Sequence, residues 1–151
     1  MGSEFEDQQL TPDDRAAILR WLDAFERAVR TRNFAAGRAL CAKQVLGFGT
    51  VAARADGLDQ LESAQWQCVW PATEGFAFDR SALRCGGQAG SYWVAAAWSS
   101  TGQVESPLAV ERRGRATILL RNSPRGLLAI HTHFSLVPSD PPHSGAGGFP
   151  S

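Results

Sequence analysis

The chain has 151 residues, 44% hydrophobic, 20% charged and 9% aromatic, with 15 acidic and 15 basic side chains. That length supports one domain with a real core, and the profile excludes a disordered or fibrous chain. Balanced charge supplies no global field toward nucleic acid or an anionic membrane, and no apolar run reaches the roughly 20 residues a membrane helix needs.

The opening MGSEF matches what adjoining cloning sites encode, so residues 1–10 are expected to be a vector scar and a flexible start. Thr11-Pro12-Asp13-Asp14 then forms a helix-start signal. Threonine caps, proline suits the first turn, and the acids complement the dipole. Ile18, Trp21, Leu22, Phe25 and Val29 follow at helical spacing and predict one apolar stripe, in a helix ending near Thr31. Asn33 is placed to cap a short second helix over residues 34–42.

VLGFGTVA (45–52) reads as a strand that glycines allow to bend. LDQLESAQWQCVW (58–70) is helical again and stops at Pro71. From Gly75 the pattern changes to short alternating segments: GFAFDRSAL, SYWVAAAWSS, ATILLRN and LLAIHTHFSL, with turn-rich CGGQAG and NSPRG between them. Helices followed by strands on short connections predict an α+β domain with an antiparallel sheet. The Pro/Gly/Ser-rich residues 138–151 are expected to form a disordered tail, with His143 incidental.

Cys41, Cys68 and Cys85 lack the spacing of a zinc or redox motif and read as reduced thiols of a cytoplasmic protein. The histidines are more informative, because two of the three, His131 and His133, interrupt an apolar strand. Alternation puts Leu127, Ala129, His131, His133 and Ser135 on one face and Leu128, Ile130, Thr132 and Phe134 on the other. On the preceding strand Arg113, Arg115, Thr117, Leu119 and Arg121 share a face. Pairing through NSPRG brings Arg115 and Thr117 against the histidines.

GFGT (47–50), ADGLDQLESAQWQCVWPATEGFAFD (55–79), the R-x-T of Arg115 and Thr117, and I-H-T-H-F-S (130–135) together resemble the SnoaL-like domains. Those domains belong to the nuclear transport factor two-like superfamily, alongside ketosteroid isomerases and polyketide cyclases. The closing H-x-H-x-S is also similar to the association domain of calcium/calmodulin-dependent protein kinase. The resemblance covers residues 11–137. It implies a cone, in which a curved antiparallel sheet wraps a long N-terminal helix, accompanied by two further helices and enclosing a pocket. It implies a homodimer through the outer sheet face as well. Carried onto this chain, His131 and His133 turn inward, while Leu128, Ile130 and Phe134 form the interface.

Four roles for the histidine pair stand open: a structural hydrogen-bond network, acid–base or donor work in a small-molecule pocket, two ligands of a metal, or a solvent face with Leu128, Ile130 and Phe134 as core. No spacing supplies a third metal ligand, so no metal and no cofactor is assigned. Ketosteroid isomerase chemistry would need a carboxylate base with an acidic oxyanion partner, and neither Asp79, Glu111 nor the single tyrosine, Tyr92, can be matched to those places. Trp66, Trp98 and Tyr92 are expected to line the pocket with Arg115, Thr117 and Ser135, and Trp21 and Trp93 to fill the core.

The expected function is binding of a small organic molecule, its anionic group held by Arg115, with proton-transfer catalysis (isomerase, cyclase or dehydratase type) through His131 and His133. The alternative is a non-catalytic dimerisation or accessory domain. Neither nucleic acid nor membrane is an expected partner.

Overall fold

The computed structural model describes residues 10–102 and 110–138; the expected scar and tail, residues 1–9 and 139–151, lie outside them. Helix α1 (Pro12–Thr31) begins as its sequence dictates. Thr11 accepts a hydrogen bond from the Asp14 backbone, and Arg32 closes the helix in a left-handed conformation, φ 54°. Its buried stripe is Ile18, Trp21, Leu22, Phe25, Ala28 and Val29. Helix α2 (Phe34–Arg38), capped by Asn33, is shorter than expected, because Cys41 already belongs to strand β1 (Cys41–Phe48).

After β2 (Ala55–Asp56), α3 (Leu58–Gln60) runs into a π-helix (Leu61–Trp66), then α4 (Gln67–Val69) and a 3-10 turn over Trp70–Ala72. The wider π-helical turn puts Leu61, Gln65 and Trp66 together on the buried side. Arg38 ties this segment to α2 through Asp59 at 2.7 Å and Glu62 at 3.3 Å.

Strands β3 (Thr73–Phe78), β4 (Arg84–Gln88), β5 (Ser91–Gly102), β6 (Val110–Ser123) and β7 (Gly126–Leu136) follow. The CGGQAG segment is mostly strand β4, its turn confined to Ala89 (φ 53°) and Gly90 (φ 83°). The sheet order is β2-β1-β7-β6-β5-β3, with β4 also on β5. All pairs are antiparallel except β1 with β7, which is parallel, so the curved sheet is mixed rather than wholly antiparallel.

One face of the sheet packs on α1. Tyr92, Val94, Ala96 and Trp98 of β5 and Ala116, Ile118 and Leu120 of β6 join the α1 stripe in a single apolar cluster. On β7, Leu127 and Ala129 pack on that cluster too. Then the register changes: Leu120 pairs with Ala129 but its neighbour Leu119 pairs with His131, leaving Ile130 as a bulge. Beyond it the faces exchange. Thr132 and Phe134 turn inward, paired with Ile118 and Ala116, and His131 and His133 turn outward, paired with Leu119 and Thr117.

Candidate functional site: an aromatic cavity between helices and sheet

A cavity of about 50 Å³ lies between α1, the π-helix and the inner face of the sheet. Seven aromatic residues wall it: Phe25 from α1, Trp66 and Trp70 from the helical segment, and Phe48, Phe76, Trp98 and Phe134 from the sheet. Trp66 and Trp70 stack at 4.6 Å, while Phe76, Trp98 and Phe134 tilt against one another at 5.8–6.5 Å. Trp98 is fixed by its indole N–H, which donates to the Arg115 carbonyl at 3.2 Å. Gly114 leaves the space beneath it, since a Cβ there would collide with the Trp98 ring.

Polar groups enter at two places. Gln65 is 7% exposed and organises the loop after β1. Its Oε1 accepts from the backbone of Val51 (2.9 Å) and Ala52 (2.7 Å), and its Nε2 donates to the Thr50 hydroxyl at 3.0 Å. Gly49 must be glycine for this, because a Cβ would overlap the Gln65 amide. Ser100 and Arg112, paired across β5 and β6, line the cavity elsewhere. Among the described residues the wall carries neither a carboxylate, a histidine nor a tyrosine.

The site expected from sequence is thus divided. Trp66 and Trp98 line the cavity. Arg115, Thr117, Ser135 and the two histidines do share a face, as strand pairing demands, but it is the face away from α1. The inward orientation expected for His131 and His133 is therefore corrected by the bulge at Ile130. The same bulge overturns the interface expected at Phe134, which stacks on Phe25 at 5.6 Å inside the core. Leu128 is buried on the outer side, paired with Arg121, and Ile130 occupies the bulge itself. Tyr92 points into the core away from the cavity, where burial pushes its phenol pKa up and Asp14 is its partner. Trp93, expected in the core, lies on the outer face over Gly86. Asp79 is exposed and caps a turn through Ser81, whose hydroxyl holds the carboxylate below its usual range.

The histidines have defined surroundings. His131 Nδ1 stands 2.7 Å from the Leu46 carbonyl oxygen, and Phe48 meets both imidazoles edge-on at 5.1 and 5.5 Å. His133 and Ser135 border a shallow depression that shares Phe48, Gly49, Thr50 and Phe134 with the cavity wall. Among the described residues no cluster of three or more His, Cys, Asp or Glu side chains could hold a metal. Arg112 and Gln65 line the cavity although sequence reading did not assign them to it, taking the arginines of ERRGR (111–115) for a solvated hairpin end. Arg112 was within reach, because counting back by twos from Ile118 and Ala116 gives Gly114 and Arg112 on the inner face.

The arrangement has counterparts among solved structures. A candidate dehydratase of the nuclear transport factor 2-like family from Streptomyces avermitilis superposes with a TM-score of 0.74 at 17% identity, over 85% of this chain and 100% of that one. The fold is the cystatin-like cone of the nuclear transport factor 2-like proteins. A ketosteroid isomerase-like protein from Erwinia carotovora shares it (TM-score 0.65, 20% identity, 83% and 94% covered). So does a candidate calcium/calmodulin-dependent protein kinase II association domain from Xanthomonas campestris (0.69, 16%, 92% and 99%). Such identities carry the cone alone, which hosts unrelated activities. No family model and no curated protein matches the chain.

Proposed function

We propose that this chain binds a small, largely apolar organic molecule in the cavity of the cone. The supporting observation is the wall of seven aromatic residues around space that the protein's own side chains leave unfilled. Concave apolar sites with a few polar groups are where small ligands bind. The mixture of tilted and stacked rings suits a flat guest, whose faces and edges meet theirs.

The five indole N–H resonances give the test. On titration with phenylacetamide, those of Trp66, Trp70 and Trp98 are expected to move together and saturably, with the outer-face Trp93 unmoved as an internal control. Movement of Trp93 alone, or of none at millimolar ligand, overturns the reading.

Proton-transfer catalysis by His133 is the finer form of this function. It draws support from the position of His133 in the depression that shares Phe48 and Phe134 with the cavity. Turnover of a bound ligand that survives His133→Ala removes it. The accessory alternative rests on the outer face, where small residues Ala95, Ala97 and Thr117 leave room for a second copy. Light scattering that finds a monomer rules out that copy.

A further inference from the structure

Among the described residues Arg112 is the one charged side chain on the cavity wall. It is partly buried, on the β6 face that continues through Gly114 and Ala116 into the core. An arginine withdrawn from water is ordinarily matched by a carboxylate. Its neighbour Glu111 points to the opposite face and holds Arg113 Nε at 3.1 Å. Among the described residues no acid pairs with Arg112. Directly across the ladder stands Ser100, 5% exposed, whose hydroxyl also has no protein partner there. Since no sealed side-chain oxygen is left unbonded, that hydroxyl opens onto the cavity.

A guanidinium fork and a hydroxyl, side by side at the edge of an aromatic enclosure, are the donors a carboxylate accepts from. We propose that the cavity selects a flat, apolar monocarboxylate. Its two oxygens take hydrogen bonds from Arg112 and Ser100, and its body lies among Trp98, Phe134 and Trp66. With one cation and no anion on the wall, a monoanion balances the site, whereas a neutral ligand leaves Arg112 without its counter-charge. This inference rests on the small-molecule reading above and adds the chemistry of the head group.

A matched pair of ligands separates the two. Phenylacetate and phenylacetamide have the same ring and differ in charge. Followed through the Trp98 indole N–H, phenylacetate is expected to bind about tenfold more tightly or better, the size of a charge-assisted hydrogen bond in a partly desolvated site. Added salt should weaken the acid and leave the amide alone. Arg112→Gln should bring the two affinities together, and Arg112→Lys should keep part of the preference. Equal affinities in the wild type, or a preference that survives Arg112→Gln, overturn the proposal while leaving the cavity reading intact. If neither compound moves Trp98, both fall.

Discussion

His131 is tied to the backbone of β1, its Nδ1 2.7 Å from the Leu46 carbonyl oxygen. The carbonyl can only accept, so Nδ1 carries the proton and the imidazole acts as a clasp between two parallel strands. His131→Ala should therefore cost about 1 kcal/mol of stability, the ordinary worth of one hydrogen bond. Urea midpoints would measure the cost. Phenylacetamide binding should be retained, and its loss in a folded variant would contradict a structural role.

Gln65 holds the loop that follows β1 through three hydrogen bonds from one side-chain amide. Gln65→Ala should destabilise the protein by about 1–3 kcal/mol, because two backbone donors lose their acceptor. The change is local, so limited proteolysis is the sharper readout, with new cleavage expected between Gly49 and Arg54. Unchanged cleavage there would mean the loop is held by something else.

Gly114→Ala pushes a methyl group against the Trp98 indole and the Ser135 carbonyl. Overpacking of this kind costs about 1–3 kcal/mol. Because Trp98 is also a cavity wall, the variant should lose ligand response in proportion to the displacement of its indole resonance.

Cys41 gives a pH dependence of known sign. Burial pushes its thiol up from an ordinary 9.0 to about 12. Above pH 9 the unfolded chain ionises this group while the folded chain keeps its proton. The contribution to stability is complete below pH 9 and is lost as pH rises toward 12. Between pH 8 and pH 10 the loss is about 1 kcal/mol, in order of magnitude. Denaturant midpoints at the two pH values should show it, and Cys41→Ala should flatten the difference. Exposed Cys68 should alkylate in the native protein before Cys41 or Cys85 does.

Much of the architecture was legible in the sequence, for reasons visible in single residues. Thr11, Pro12 and Asp14 start α1, and its stripe from Ile18 to Val29 is the buried one. The partnership of Arg115 and Thr117 with Ser135 and His133 follows from alternation and a short turn, and the ladder contains it. Which side of the sheet that group faces was not legible. Alternation counted from Leu127 and Ala129 is right until Ile130, and one unpaired residue then inverts everything after it. A bulge leaves no local signature in LLAIHTHFSL, because every residue there tolerates either face. The parallel pairing of β1 with β7 was hidden for a related reason, since strand order is set by long-range contacts.

The bulge at Ile130 also bears on how this protein can change. Loss of that one codon would let β7 pair without interruption in the register it already has, with His131 still opposite Leu119 and Thr132 still opposite Ile118, so Thr132 and Phe134 would keep their places on the cavity wall. Along this strand one extra residue is absorbed by the ladder, and the choice of side chains that reach the cavity is the same with it or without it.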